Sequence, residues 1–268
     1  MTIGFFDSGV GGLTVLAEAL RRLPAENYIY YADTEHVPYG IRSKDEVRNF
    51  VLQAVDFMAA QNIKALVVAC NTATSIAIKE LRQKYSFPVL GMEPAVKPAV
   101  EKNGVQKSLK RVLVAATPLT LREEKYQDLV SRVDHDHIVD GIALPELVEY
   151  AENFVFDPEI IVPYLTKKLA GWNVNRYGTV VLGCTHFRYF EQSFAKVFPA
   201  NTDIIDGSAG TVRHLKTVLE QNNLAASAGK GEVTFYTSGK ETSAAKYQKY
   251  LDFLSTLNKD KGCKNKLL

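Results

Sequence analysis

The sequence predicts an α/β protein of two similar lobes, each a mostly parallel sheet flanked by helices, related by a pseudo-twofold axis with the active site in the cleft between them. Three observations predict it. Short apolar, β-branched runs alternate with segments of helical spacing, the order that builds parallel sheets covered on both faces. Two cysteines sit in matching settings. Cys70 ends Ala65-Leu66-Val67-Val68-Ala69 and opens Asn71-Thr72-Ala73; Cys184 ends Val180-Val181-Leu182-Gly183 and opens Thr185-His186. The layout also repeats faintly. A strand and loop at Asp7 precede the strand into Cys70 much as a strand and loop at Thr117 precede the strand into Cys184, without convincing identity between the segments.

Thr2 to Phe6 reads as the first strand. The Gly-rich turn Asp7-Ser8-Gly9-Val10-Gly11-Gly12 follows, then a helix through Leu13, Leu16, Ala17 and Leu20 that ends before Pro24. Tyr28 to Tyr31 is a second strand, 33–42 a polar loop, Val47 to Ala60 a helix, Ile63 to Ala69 the strand into Cys70, Thr72 to Tyr85 a helix, and Phe87 to Met92 a short strand. Asn103-Gly104 and Lys107 to Lys110 interrupt the pattern and suggest a crossing. Arg111 to Ala116 is a strong strand ending in Thr117-Pro118-Leu119-Thr120, followed by one charged helix over 122–130, a weaker strand over 138–144, helices over 147–154 and 158–169, and a strand over 179–182. Glu232 to Thr237 alternates like an edge strand, and 243–254 has helical spacing whose packing partner the pattern does not reveal. The domain division expected from this order is 1–97 with 207–268 in one lobe and 98–206 in the other.

At 268 residues, 46% hydrophobic and 23% charged, the chain has ordinary globular composition. A net charge of only +2 gives no reason to expect nucleic acid or a membrane as primary partner. The N-terminal residues lack the basic start and apolar length of a signal peptide, and no stretch reaches transmembrane length, so a cytoplasmic setting is expected. Three cysteines without close pairs fit free thiols in a reducing compartment. The basic run 259–266 reads as a solvated tail, and Cys263 within it as incidental.

The chemistry concentrates at the strand ends. Gly9, Gly11 and Gly12 could cradle a small anion or simply make a tight turn, and neither GxGxxG nor GxxxxGK[ST] is present to suggest a nucleotide. Asp7 and Ser8 stand where a sheet presents functional side chains. A thiol titrates near pH ~8.5 and reacts as the thiolate, so a helix N-terminus or a neighbouring histidine would activate it. Both cysteines are expected at helix N-termini, with His186 two positions after Cys184. Two such cysteines suggest a pair of bases facing one substrate from opposite sides. Asp134-His135-Asp136-His137 has the look of a metal site but lacks a third element at ligand spacing, and a solvated turn is the better reading. Pro38-Tyr39-Gly40 is a turn whose Tyr39 either closes the cleft or lies on the surface.

Together, Phe6-Asp7-Ser8-Gly9-Val10-Gly11-Gly12-Leu13-Thr14, Pro38-Tyr39-Gly40, Ala69-Cys70-Asn71-Thr72-Ala73, Gly91-Met92-Glu93-Pro94 and Leu182-Gly183-Cys184-Thr185-His186 resemble the bacterial glutamate racemases across nearly the whole chain. Val233-Thr234-Phe235-Tyr236-Thr237-Ser238-Gly239 is similar to that family's end. The resemblance implies a cofactor-independent, metal-free isomerase that interconverts L- and D-glutamate and supplies D-glutamate for peptidoglycan. It implies that Cys70 exchanges the α-proton on the D side and Cys184 on the L side, assisted by Asp7 and His186 respectively. It further implies that Ser8, Tyr39, Gly40, Asn71, Thr72, Thr117 and Thr185 hold the substrate, with Glu149 near the cleft, and that the protein is a homodimer. Some members of that family also inhibit DNA gyrase. The chain departs from the family at Phe187-Arg188, where Tyr-Pro often follows the histidine, at Asp33-Thr34-Glu35-His36, where Asp-Ser-Ala-Arg is common, at Ala116, and in lacking a Cys-Pro run before Leu147. None of these touches the thiols. An aspartate racemase typically carries Glu at the place of His186, and related decarboxylases lack the first cysteine. A silent amino-acid-binding or regulatory relative is the reading from a different class.

Overall fold

The computed structural model describes residues 1–105, 110–239 and 244–264, and the side chains of all of these except 104, 105 and 258–264. The first half runs β1 (Thr2–Asp7), α1 (Leu13–Arg22), β2 (Tyr28–Ala32), α2 (Lys44–Ala60), β3 (Ile63–Val68), α3 (Asn71–Lys84) and β4 (Val89–Gly91). The second runs α4 (Val96–Val105), β5 (Arg111–Ala116), α5 (Pro118–Arg122), α6 (Glu124–Val133), β6 (Val139–Ala143), α7 (Glu146–Glu152), α8 (Pro158–Lys168), β7 (Tyr177–Leu182), α9 (Glu191–Val197) and β8 (Asp203–Asp206). The chain closes with α10 (Ser208–Gln221), β9 (Val233–Thr237) and α11 (Ala244–Lys264).

The strands form two sheets, in the orders β4-β3-β1-β2-β9 and β6-β5-β7-β8, and every pairing is parallel. Read from its other edge, the second sheet repeats the first four positions of the first sheet: β8, β7, β5 and β6 correspond to β4, β3, β1 and β2. That is the repeated layout of the sequence realised as topology. Parallel strands buried on both faces are largely apolar, and β3 and β7 are buried at every residue, with the polar exceptions Lys64 and Thr179 paired to Glu26 and Asn103. Full burial of each aliphatic side chain there is worth about 1.5–3 kcal/mol.

Register decides what the sheets present. Phe6 pairs with Val68 and Ala115 with Leu182. Two residues further on, Ser8 lies beside Cys70 and Thr117 beside Cys184, each couple leaving the carboxyl ends of the two central strands of its sheet. Among the described residues no helix is long and apolar enough to cross a membrane.

Three expectations need correction. The interruption at Asn103 is the last turn of α4, not a crossing. The Asn103 amide donates to the Ala99 carbonyl and to the Thr179 hydroxyl on β7, so an apparent breaker is a buried anchor. Most of the Lys107–Lys110 segment lies outside the described residues. The single charged helix over 122–130 is two helices, because Glu123 adopts an extended conformation (φ −67°, ψ 136°) and its carboxylate pairs with Lys44 at 2.9 Å. The elements α4, α9, β8 and α10 have no counterpart in the sequence reading; β8 offers only two apolar residues, whereas Val212, Leu215, Val218 and Leu219 carry a helical signal for α10. The run 134–137 is a turn in which the Asp134 carboxylate accepts from the amides of Ile138 and Val139, with His135, Asp136 and His137 exposed. Ser243, the side chain of Cys263 and those of the basic tail fall outside the described residues.

Candidate active site

Each sheet ends in a helix-capping side chain. Cys70 is the N-cap of α3, its sulfur accepting from the Ala73 amide at 3.4 Å, with the Ser8 hydroxyl at 3.9 Å. Thr117 caps α5 in the same way, accepting from the Thr120 amide at 3.3 Å. Cys184 precedes a 3-10 segment, Thr185–Phe190, rather than an α-helix, and its side chain makes no cap bond. Its sulfur instead faces the Nδ1 of His186 at 3.7 Å. A short 3-10 turn supplies little dipole, which leaves the imidazole as the polar group facing this sulfur.

The two sheets' loops interlock around these thiols. The Asp7 carboxylate accepts from the Gly9 amide at 3.0 Å and from the Thr185 hydroxyl, on the far side of the cleft, at 3.1 Å. A single carboxylate oxygen of Glu152, the last residue of α7, accepts from the Val10 amide at 2.7 Å and lies 2.7 Å from Nε2 of His186. This explains two glycines. A Cβ at Gly9 would collide with the Glu152 carboxylate, and one at Gly11 with Nδ1 of His186 and Oγ1 of Thr185. The Gly-rich turn therefore admits the partner loop's side chains where the sequence suggested an anion cradle.

The cleft between the loops is a narrow cavity lined by Ser8, Tyr39, Cys70, Asn71, Thr117, Val148, Cys184 and His186, with Pro38, Gly40, Thr72 and Thr185 completing the wall. Tyr39 is buried and donates to Asp33, whose other oxygen lies 2.7 Å from Nδ1 of His36. The hydroxyls of Thr72, Thr117 and Thr120 form a triangle with edges of 2.9–3.0 Å. Asn71 is the exception to this pairing. Its amide nitrogen and oxygen are both buried without a protein partner, which makes it the side chain most available to a ligand's polar groups.

Electrostatics separates the two ends. Burial, then the charge of Asp7, pushes the Cys70 thiol well above its ordinary range, so Cys70 holds its proton. Burial alone would strip the proton from His186, but its hydrogen bonds to Cys184 and Glu152 outweigh that and hold the imidazole well above its ordinary value. Burial pushes the Asp7 carboxyl up to about 6, opposed by the charge of His186 and the bonds from Gly9 and Thr185.

A family description, Asp/Glu/hydantoin racemase, matches residues 7–215, which span all of these groups. The chain belongs to the Asp/Glu/hydantoin racemase family. Among its relatives, a glutamate racemase of Halothermothrix orenii is 59% identical over 258 residues, covering 96% of this chain and 100% of the relative. Glutamate racemase 2 of Bacillus subtilis is 52% identical, covering 95% and 96%. Among solved structures, the Escherichia coli glutamate racemase in complex with L-glutamate and the activator UDP-MurNAc-Ala superposes with a TM-score of 0.80 at 30% identity, over 94% of this chain and 95% of that one. The Bacillus anthracis glutamate racemase isoform RacE1 gives 0.78 at 32%, over 92% and 90%. The two-sheet α/β architecture is thus that of the racemase family.

Of the residues singled out from the sequence, Ser8, Tyr39, Gly40, Cys70, Asn71, Thr72, Thr117, Cys184, Thr185 and His186 line this racemase cavity, with Asp7 directly behind it. The hydrogen-bond partners of Asp7 are Gly9 and Thr185 rather than Cys70. Glu149 is exposed on α7 and is not among the residues lining this cavity, while Glu152, three residues on, reaches His186. The sequence missed Glu152, Asp33 and Thr120. Glu149 and Glu152 lie on neighbouring positions of one helix face, so spacing cannot choose between them. The Thr117-x-x-Thr120 pattern is a legible cap signal for Thr120.

Proposed function

We propose that this chain interconverts L- and D-glutamate by proton exchange at Cα between two thiols. The observation that carries the reading is that Cys70 and Cys184 line one small cavity from the ends of two separate sheets, with different proton affinities imposed on their surroundings. Inverting a stereocentre requires a proton to leave one face and another to arrive on the opposite face. One base per face achieves this without turning the substrate over.

The two sulfurs must start in opposite protonation states. Cys70, buried and beside neutral donors, is the acid; Cys184, held against an imidazolium that Glu152 secures, is the base. In the reverse direction the roles exchange. Asn71 and Thr72 donate to the carboxylates and to the charge that develops as Cα loses its proton, while Thr185, whose hydroxyl proton goes to Asp7, accepts from the ammonium. These side chains and the two thiols supply every group the proton exchange uses. By the family likeness Cys184 serves the L enantiomer and Cys70 the D enantiomer, the protein acts as a homodimer in the cytoplasm, and its product enters peptidoglycan. The test is circular dichroism of L-glutamate and of D-glutamate incubated separately with the protein and no added cofactor. Each should decay to zero ellipticity, with L-aspartate unchanged. Retention of optical activity by both glutamate enantiomers would overturn the reading, and decay of aspartate at the same rate would overturn its specificity.

A further inference from the structure

The C-terminal helix reaches the active site without touching the cavity. Tyr247 and Tyr250 are buried on one face of α11. The Tyr247 ring packs on Tyr30 of β2 at 5.9 Å and on Phe235 of β9 at 5.1 Å, anchoring the helix to the first sheet. Tyr250 crosses to the other side. Its hydroxyl lies 2.8 Å from the Ala151 carbonyl and 2.9 Å from that of Glu152, at the C-terminus of α7. Its ring is wedged among Phe154, Phe156 and Tyr189.

That turn of α7 is where a small displacement matters most. Glu152 carries the carboxylate that holds His186, and α7 is only seven residues long, too short to be rigid alone. The same carboxylate oxygen takes the Val10 amide, and the Val10 carbonyl in turn accepts from the Tyr189 hydroxyl at 2.8 Å, beside Tyr250. On the opposite wall the Tyr30 hydroxyl donates to the Gly9 carbonyl at 2.6 Å. Three tyrosine hydroxyls therefore fix the main chain on both sides of Glu152. Only Tyr250 fixes the α7 side, and it comes from an element remote in sequence.

We propose that Tyr250 is a positioning residue for proton exchange at Cys184, acting through the C-terminus of α7, the Glu152 carboxylate and His186. This rests on the two-thiol reading above. The contacts reach Cys184 directly through Glu152 and His186 and reach Cys70 only by the longer way of Val10 and Ser8, so the effect falls mainly on the Cys184 side, and that asymmetry sets a positioning role apart from a loss of folded protein.

The test is Tyr250→Phe, which keeps the ring and removes the hydroxyl, assayed with α-deuterated L- and D-glutamate. A fall in kcat of about five- to tenfold is expected from the loss of one positioning hydrogen bond, with KM within twofold. The deuterium isotope effect on kcat/KM should rise for the enantiomer deprotonated by Cys184 and fall for the other, because the Cys184 step becomes more rate-limiting. Tyr247→Phe, on the same helix, should leave both isotope effects at wild-type values. If Tyr250→Phe does not fold, 4-fluorophenylalanine at position 250 carries the same comparison. Isotope effects in Tyr250→Phe equal to wild type in both directions would overturn the inference. Failure of the wild-type protein to racemise glutamate would instead overturn the functional reading on which it rests.

Discussion

Cys70 and Cys184 occupy equivalent ends of β3 and β7, yet the molecule treats them differently. Cys70 is held by its own lobe: its neighbours are the Ala73 amide of its own helix and the Ser8 hydroxyl of the adjacent strand end. Cys184 is held by a chain that crosses the cleft, through His186 to Glu152 and the Val10 amide of the opposite loop. One thiol is insulated and keeps its proton. The other faces the imidazole of a His186–Glu152 pair whose carboxylate is also held from the opposite lobe by the Val10 amide. Symmetry in topology thus carries different neighbours at the two sulfurs, which is the asymmetry the proposed two-base exchange calls for at the start of a turnover.

The bluntest way to break the comparison is to remove either thiol. Cys70→Ser and Cys184→Ser should each lower racemisation by about 10³-fold or more, since a hydroxyl is far too weak an acid to replace a thiol as a proton carrier. Full activity in either would refute the assignment. The two sides should then diverge with their neighbours. Glu152→Gln removes the charge partner of His186 and should cost about 10- to 100-fold in kcat, whereas Ser8→Ala, on the insulated side, should cost less than tenfold. Steady-state kinetics of both variants decide this, and equal losses would erase the distinction. Gly11→Ala probes the crossing itself: the added methyl strikes His186 and Thr185, and a loss of about 100-fold is expected with little change in helix content by circular dichroism.

A subtler effect comes from Asp7. Its carboxyl is raised from 3.8 to about 6 in the folded protein, so the folded state binds this proton more tightly than the unfolded chain. The associated stability is fully present below 3.8 and is lost as pH rises through about 6. Asp7→Asn should therefore gain more thermal stability over wild type at pH 7.5 than at pH 5, by about 1–3 kcal/mol at the higher pH. The same substitution should remove an inflection near pH 6 from the kcat/KM profile. A stability difference independent of pH would contradict the burial of this charge.

The Cys70 side was legible in the sequence almost residue by residue, because a strand end, a cap and a helix start are local signals. Asn71, Thr72 and Thr117 stand at strand-to-helix junctions, and the resemblance to glutamate racemases singled them out there. The Cys184 side was legible only as far as His186. Its next partner, Glu152, lies 34 residues away and is chosen by how α7 docks on the Gly-rich loop. Local periodicity gives Glu149 and Glu152 equal standing; the match to the family motif points to Glu149, and the contact to His186 is made by Glu152. The placement of α11 was hidden for a similar reason. Its amphipathic spacing announces a buried face, but which surface receives Tyr250 depends on long-range packing. The strand orders of the two sheets were hidden too, although the alternating pattern was enough to predict two parallel layers.

The central claim, one base on each face, is tested most directly by starting from a single enantiomer in D₂O and following both isomers over the first fraction of a turnover equilibrium by mass spectrometry and chiral separation. The account predicts that inverted product carries one α-deuterium from the outset while the remaining starting enantiomer stays protonated. Early deuterium in the unreacted enantiomer, or α-protium carried into the product, would mean that one group serves both faces and would contradict it.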